Sequence, residues 1–162
     1  MEYTLALIKP DGVRRGLTGE CIGRILQEGL TLAETKTFTM SRAFAETFRK
    51  ELKEKYPALW DSLIDYMTEG PSIAFLVQGE EAIMRVRKLC GVTNPLDALK
   101  GTIRGDFREG DMQELSKQGK VVKNILHASG NAEEAAQEIR LIFEHDAMKQ
   151  PSKRDTKGGR KE

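Results

Sequence analysis

The sequence predicts an α/β (α+β) domain built on a four-stranded antiparallel sheet. Four short apolar runs alternate with stretches in which apolar residues recur at helical spacing. The chain has 162 residues, a length that suits one domain. With 39% hydrophobic and 31% charged residues it can bury an ordinary core, which argues against disordered and fibrous classes. The longest apolar run, residues 72–77, is far too short to span a membrane.

The first half of the chain predicts two strands and three helical segments. These are a strand over 3–8, a helix capped by Thr18 and ending before Gly29, a strand over 30–40, and helical patterns broken at Pro57 and at Gly70-Pro71. The first strand stops at the turn residues 10–12. Lys9 is therefore expected where a strand meets a loop.

The second half predicts two more strands and two helices around a long irregular stretch. Its segments are a strand over 73–77, a helix over 80–89, the stretch 91–119, a strand over 121–126 and a helix that opens at Asn131. Asn131 and Glu134 resemble a capping box. An irregular stretch of that length in a compact domain is usually functional or disordered.

In order, the elements are β, α, β, two helices, β, α, β and α. Without the helix pair between the second and third strands, the order becomes βαββαβ, the ferredoxin-like arrangement. In that arrangement helices pack on one face of the antiparallel sheet.

The charge distribution divides the chain into a domain, residues 1–148, and a basic tail, residues 149–162. The tail holds six basic and two acidic residues and no aromatic or branched aliphatic residue. Because it has no apolar surface to offset its ordering entropy, we expect a disordered tail, and nucleic-acid binding is the less favoured interpretation.

The N-terminus lacks the basic and apolar regions of a secretory signal, which predicts a cytoplasmic protein. Cys21 and Cys90 lack metal-ligand spacing and are expected to be buried free thiols.

The two histidines differ in their settings. His127 is expected between the end of a strand and the start of a helix, where amides favour phosphate. His145, near the end of the last helix, is expected to interact with the helix dipole. From local context alone, a structural role for His127 is favoured over a catalytic one.

Three cations, Lys9, Arg87 and Arg104, lie at or beside element ends or in the long loop, where they can converge on nucleotide phosphates. Each alone is more simply explained as solvated surface. The chain has neither a GxxxxGK[ST] nor a GxGxxG string, which argues against Walker-type and simple dinucleotide-binding sites.

Four segments, in this order and spacing, resemble the signature segments of nucleoside diphosphate kinases. They are residues 7–13 (LIKPDGV), 93–95 (TNP), 101–107 (GTIRGDF) and 124–129 (NILHAS). The resemblance extends from about residue 3 to residue 143.

The resemblance implies a ferredoxin-like enzyme that moves the γ-phosphate from a nucleoside triphosphate to a nucleoside diphosphate through a phosphohistidine at His127. It implies Mg²⁺ with the nucleotide phosphates and a homo-oligomer, either a tetramer or a hexamer. The roles it implies are as follows: Lys9, Arg87 and Arg104 on the phosphates, assisted by Thr93; Asn124 at the sugar and a nearby phosphate; Glu138 orienting the histidine; Ser129 as the nearby hydroxyl; Leu59 at the base.

The chain departs from the family pattern at several positions. Residues 108–120 are about ten residues longer than usual. Leu59 stands where a base-stacking aromatic is expected, and a tyrosine expected near Phe48 and Arg49 is missing. Ala128 replaces a glycine and Gly130 replaces an acidic residue.

Two other interpretations stay open at this stage. A ferredoxin-like module for single-stranded RNA would need exposed stacking aromatics, but the RNP-type string is absent and aromatics make up 6% of the chain. Alternatively, the fold is retained while Leu59 and the inserted segment have abolished catalysis.

Overall fold

A computed structural model describes residues 1–144 of the chain. The predicted basic tail and His145 lie outside the described residues. Four strands form a sheet within this part of the chain, in the order β2-β3-β1-β4, and every neighbouring pair is antiparallel. The strands are β1 (Glu2–Ile8), β2 (Thr31–Thr39), β3 (Pro71–Gly79) and β4 (Leu126–Ala128). This order confirms the predicted ferredoxin-like sheet.

Helices connect the strands and cover the sheet. Over residues 1–144 they are α1 (Pro10–Arg14), α2 (Thr18–Gln27), α3 (Arg42–Phe48), α4 (Glu51–Lys55), α5 (Trp60–Thr68), α6 (Ala82–Cys90), α7 (Ile103–Asp106), α8 (Met112–Lys117) and α9 (Ala132–Ile139). A short 3-10 helix spans Pro57–Leu59, and a π-helical turn, Arg140–Glu144, follows α9. None of the helices in the described range is long and apolar enough to cross a membrane.

The two faces of the sheet carry separate apolar cores, because side chains alternate along β1. Ala6 and Ile8 pack with α2 and α6 on one face. Leu5 and Leu7 face the other side, where they pack with α3, α5 and the π-helical turn. The sequence predicts helices on one face only; the helix segments inserted between β2 and β3 supply the cover for the second face.

The fourth strand begins later than the sequence predicts. The prediction of a strand over 121–126 is wrong, since β4 covers only Leu126–Ala128 and pairs with residues 6–8 of β1. Ile125 interrupts the strand with φ of 74°, a left-handed conformation that is strained for a β-branched residue. Consequently His127 lies within a strand, and its side chain points to the same face as that of Leu7.

Two local predictions near the first strand also need correction. Thr18 is already inside α2, because Leu17 occupies the N-cap position and no side chain caps the helix. Residues 10–12 form the start of α1 rather than a turn. Pro10 stands at its first position, where a missing N–H costs nothing and the fixed φ suits a helix.

The long irregular stretch holds two short, capped helices. The Thr102 side chain accepts a hydrogen bond from the Gly105 N–H and caps α7. Asp111 caps α8, which lies inside the inserted segment 108–120. As predicted, Asn131 caps α9 by accepting from the Glu134 N–H. The two caps at residues 102 and 111 explain how a stretch without apolar periodicity still forms helices.

Candidate active site

His127 lies in the middle of β4 and faces the second core. Its Nε2 atom is 2.9 and 3.0 Å from the two carboxylate oxygens of Glu138. The Phe48 ring packs edge-on against the imidazole, with ring centroids 5.4 Å apart. About 10% of the histidine side chain is exposed. The ring is therefore held from two sides and reaches solvent through a narrow opening.

The hydrogen bonds around His127 define a neutral imidazole. A carboxylate only accepts, so Nε2 carries the proton and donates to Glu138. The Nδ1 atom is then left with its lone pair. Burial lowers the pKa of His127 to about 4, and the nearby cations Arg49 and Lys9 act in the same direction, against the hydrogen bond to Glu138. At neutral pH the ring is uncharged, with an Nδ1 lone pair that can act as a nucleophile.

Glu138 is held in its charged form. Burial alone would raise its pKa, but hydrogen bonds from His127 and from the Ser129 hydroxyl, together with the Arg49 charge, lower it below its ordinary value. The Ser129 Oγ donates to Oε2 at 2.6 Å. Because Ser129 is fully buried directly after β4 and Glu138 lies on α9, this contact fixes the last helix against the histidine strand.

Lys9 directly follows β1 and is the first of three residues joined by hydrogen bonds. Its Nζ donates to Asn124 Oδ1 at 2.7 Å, and Asn124 Nδ2 donates to the backbone carbonyl of Thr93 at 3.0 Å. Burial, together with the charges of Arg104 and Arg49, lowers the pKa of Lys9 to about 7. The Thr93 side chain is exposed next to these hydrogen bonds. At neutral pH, Lys9 is therefore only partly protonated, and a bound anion would favour its protonated form.

Arg104, on α7, is buried next to the same groups. Its guanidinium donates to three backbone carbonyls, those of Asn124 (3.1 Å), Gly91 (3.2 Å) and Leu126. These bonds join the long loop to the segment that carries Asn124 and His127. Its charge acts on Lys9, which places both cations in one cluster.

Arg87, on α6, is exposed and approaches the site from the other side. A β-carbon placed on Gly130 would lie 3.4 Å from Arg87 Nη1 and 2.5 Å from Glu134 Oε2. The Glu134 carboxylate also accepts from the Gly130 N–H at 2.9 Å. Glu134 thus places a carboxylate where Gly130 lacks the acidic side chain that the resemblance implies.

A strained backbone supports the segment from Asn124 to His127. The Ile125 N–H donates to Asp11 Oδ2 at 3.2 Å, and its carbonyl accepts from the Lys9 N–H at 2.7 Å. Tyr66 donates its hydroxyl proton to the other Asp11 oxygen. Gly12 permits this close approach, since a β-carbon there would lie 2.8 Å from Ile8 Cγ2 and 2.9 Å from Ile125 Cγ2. Such strain costs about 1–3 kcal/mol and persists only where the surroundings over-determine it.

Leu59 lies at the end of the short 3-10 helix and is half-buried. Its neighbour Ser62 accepts a hydrogen bond from the Val121 N–H at 3.0 Å. A cavity of about 730 Å³ opens here between α5 and the inserted segment. Its lining includes Tyr66, Leu115, Lys120, Val121 and Lys123. The Tyr66 ring joins the cavity to the cations, since Lys9 Nζ lies 5.4 Å from its centroid.

Three residues that the sequence did not single out belong to this site. Asp11 was visible only as part of the LIKPDGV string, and Tyr66 gave no signal beyond its place in a helical pattern. Arg49, at the end of α3, places Nη1 3.1 Å from His127 Nδ1. Its position was noted only for the missing tyrosine.

The fold and the buried, oriented histidine within a cluster of cations define a phosphotransferase-type site. The family model described as nucleoside diphosphate kinase matches residues 2–148. The chain belongs to the nucleoside diphosphate kinase family, whose members are phosphotransferases.

Relatives and solved structures agree with this assignment. The chain is 42% identical to a nucleoside diphosphate kinase of Archaeoglobus fulgidus over 91% of this chain and 90% of the relative. It is 44% identical to one of Staphylothermus marinus over 91% of this chain and 96% of the relative. A transition-state mimic of the Borrelia burgdorferi enzyme, with bound vanadate and ADP, superposes with a TM-score of 0.83 at 37% identity, covering 88% of this chain and 86% of that chain.

Proposed function

We propose that the protein moves the γ-phosphate of a nucleoside triphosphate to a nucleoside diphosphate in two steps, with His127 as the carrier. In the first step, His127 Nδ1 forms a bond to the γ-phosphorus while the bond from phosphorus to the bridging oxygen breaks, and the diphosphate leaves. In the second, an oxygen of another diphosphate takes the same group from Nδ1. The enzyme returns unchanged.

One observation carries this proposal: a neutral imidazole whose Nε2 is held by Glu138 and whose Nδ1 lone pair lies among cations. The carboxylate keeps the attacking nitrogen free of a proton and stabilises the positive charge that the ring gains on phosphorylation. The Borrelia relative with bound vanadate and ADP supports the same chemistry, because vanadate mimics a phosphoryl group in transfer.

The cations supply the electrostatic part of catalysis. Phosphoryl transfer runs through a loose transition state, so alignment and charge account for most of the acceleration. We assign Lys9, Arg104 and Arg87 to the phosphates, with Thr93 beside them and Asn124 at the sugar and an adjacent phosphate. The hydrogen bond from Lys9 to Asn124 supports this assignment because it sets both side chains in register before the nucleotide arrives.

The base is assigned to the cavity between α5 and the inserted segment, whose lining includes Ser62, three residues after Leu59. Its volume of about 730 Å³ lies within the range of small-molecule sites. Leu59 is not in the lining, and the apolar surface of the cavity comes from Leu115, Val121 and the Tyr66 ring. Because the Tyr66 hydroxyl already donates to Asp11, these three side chains offer no hydrogen bond that would select one base. This arrangement suits an enzyme that exchanges phosphates among nucleotides with low base selectivity.

We propose that Mg²⁺ arrives as part of the substrate, bound to the nucleotide phosphates. Within residues 1–144, no group of three or more histidine, cysteine, aspartate or glutamate side chains is placed to hold a metal ion. Magnesium keeps much of its water and binds readily through phosphates, so a dedicated protein cage is not required.

The site also suits a cytoplasmic homo-oligomer, a tetramer or a hexamer. Cys21 and Cys90 are both free and buried, in keeping with a reducing compartment. Among the described strands, β2 lies at an edge of the sheet, a position at which a second copy can pair its backbone. Native mass spectrometry of the full chain distinguishes the two assemblies, and a monomer would contradict both.

The test is direct transfer from ATP to GDP at low enzyme concentration. We expect turnover by the wild type and none by folded His127→Ala. The mechanism is wrong if the variant keeps wild-type turnover. A folded wild type without transfer would instead support a family member that has lost catalysis.

A further inference from the structure

Arg49 occupies the place where the reaction must begin. Its Nη1 donates to His127 Nδ1 at 3.1 Å, and Nδ1 is the nitrogen left with a lone pair once Nε2 is bound to Glu138. A nucleophile attacks when the reacting atoms are about 3–3.5 Å apart along the lone pair. The guanidinium and the γ-phosphorus therefore compete for the same position.

We propose that Arg49 is a further catalytic residue, which covers Nδ1 in the free enzyme, is displaced by the incoming γ-phosphoryl group and then donates to the oxygens of that group. The inference rests on the proposed function. It adds to Lys9, Arg87 and Arg104 a cation that contacts only the group in transfer. The covalent change is the one given above, and no bond to Arg49 forms or breaks.

The backbone of Arg49 is anchored, and its side chain is partly exposed. Its N–H donates to the Ala45 carbonyl at 3.0 Å, at the end of α3. The side chain is about 17% exposed and forms an ion pair with Glu51 at 3.7 Å. In the proposed exchange, the side chain rotates away from Nδ1 and the guanidinium turns to the phosphoryl oxygens.

The exchange of partners favours displacement. In the free enzyme Arg49 donates to a neutral nitrogen, whereas the phosphoryl oxygens are negatively charged. Hydrogen bonds between ionised groups are about twice as strong as neutral ones, and arginine offers them in pairs. The phosphoryl oxygens are better acceptors than Nδ1. The substrate itself therefore displaces Arg49 from Nδ1, and no spontaneous opening of the contact is needed.

The position of the charge also affects the histidine. The charged groups that act on His127 are Glu138 from α9, Lys9 at the end of β1 and Arg49 at the end of α3. Arg49 and Lys9 lower the pKa of His127, and Glu138 raises it. Replacement of Arg49 by an uncharged residue must therefore raise the pKa of His127 in the free enzyme.

The experiment follows single-turnover labelling of His127 by γ-labelled ATP in wild type, Arg49→Met and Arg49→Lys. Arg42→Met is the matched control, since Arg42 lies two turns earlier on α3 and pairs with Asp61 and Asp65 at the surface. We expect Arg49→Met to lower the labelling rate about 10²-fold. We expect Arg49→Lys to lower it about tenfold because lysine lacks the planar fork. Arg42→Met should match wild type.

Two further readouts separate catalysis from a structural effect. ADP affinity should stay within about twofold of wild type in Arg49→Met, because ADP lacks the group that Arg49 contacts. The pH at which labelling fails on acidification should move upward in Arg49→Met and stay in place in Arg49→Lys.

The outcomes distinguish the role of Arg49 from the role of His127 as the phosphoryl carrier. Folded Arg49→Met that is labelled as fast as wild type, or faster, overturns the role of Arg49 and leaves His127 as carrier. If Arg49→Met fails to fold, wild-type labelling by folded Arg49→Lys overturns it instead. No labelling of wild type at His127 would refute the proposed function itself.

Discussion

Two regions of the proposed site differ in how firmly their side chains are held: the histidine centre, formed by the groups around His127, and the nucleotide entrance, formed by the inserted segment 108–120. In the buried interior, Arg49 and Glu138 bond to the two ring nitrogens of His127, and Ser129 donates to Glu138. At the entrance, the inserted segment 108–120 is mostly exposed, and Val121, directly after it, donates its N–H to Ser62 on α5. The groups around His127 are preorganised, while the surface to which we assign the base is free to vary. Changes at the centre should therefore affect the rate, and changes at the entrance should affect affinity.

Among the variants that compare the centre with the entrance, the largest effect is expected from Glu138→Gln, which tests the centre. The amide keeps the shape but cannot accept from both His127 and Ser129 with full negative charge. Loss of such an orienting partner lowers activity about 10–100-fold. Stopped-flow measurement of kcat should show this loss with little change in KM.

The control for this variant is Glu133→Gln, an exposed glutamate on the same helix. It should match wild type. Equal rates for Glu138→Gln and wild type would show that the carboxylate does not orient the histidine.

The next effect concerns protonation of Lys9. Its pKa of about 7 is low because of burial and the nearby arginines, and bound phosphates must raise it. Nucleotide binding at neutral pH should therefore take up a fraction of a proton, more at pH 8 and none well below pH 6. Calorimetry of ADP binding in buffers of different ionisation enthalpy measures this uptake.

Lys9→Met should abolish the uptake, whereas Lys88→Met, at an exposed position on α6, should retain it. Equal proton uptake in Lys9→Met and wild type would assign the titration to another group.

A smaller effect is expected when the inserted segment is shortened. Replacement of residues 109–118 by a short glycine-containing linker removes α8 and the ion pair between Glu109 and Arg15, but no group that bonds to His127. We expect KM for nucleotides to change several-fold and single-turnover labelling of His127 to persist. Loss of labelling in a folded variant would place the insertion in the catalytic centre.

The smallest effect should come from Leu59→Phe. A stacking ring at this position gains about 0.5–1.5 kcal/mol, which lowers KM roughly two- to tenfold. Steady-state assays with ATP and GDP measure the change, and Leu99→Phe at an exposed position is the control. An unchanged KM would place the base away from Leu59.

Sequence reasoning predicted the sheet and most helices because apolar periodicity and the Asn131 cap are local signals. It misplaced the start of β4 because Ile125 adopts a left-handed conformation that is imposed by Asp11 and the Lys9 backbone, residues more than a hundred positions away. It brought His127 together with Lys9, Arg87 and Arg104 only through the resemblance. Sequence reasoning could not identify Arg49 and Tyr66 as site residues, because their partners lie on other elements and no local pattern marks them.

In the proposed mechanism, His127 takes up and releases one phosphoryl group. Intact-protein mass spectrometry after brief exposure to ATP, followed by addition of GDP, observes both steps. We expect one acid-labile phosphoryl group per chain, located on His127, that disappears as GTP forms. A protein that turns over nucleotides without ever carrying phosphate, or that carries it on another residue, does not use His127 as the carrier.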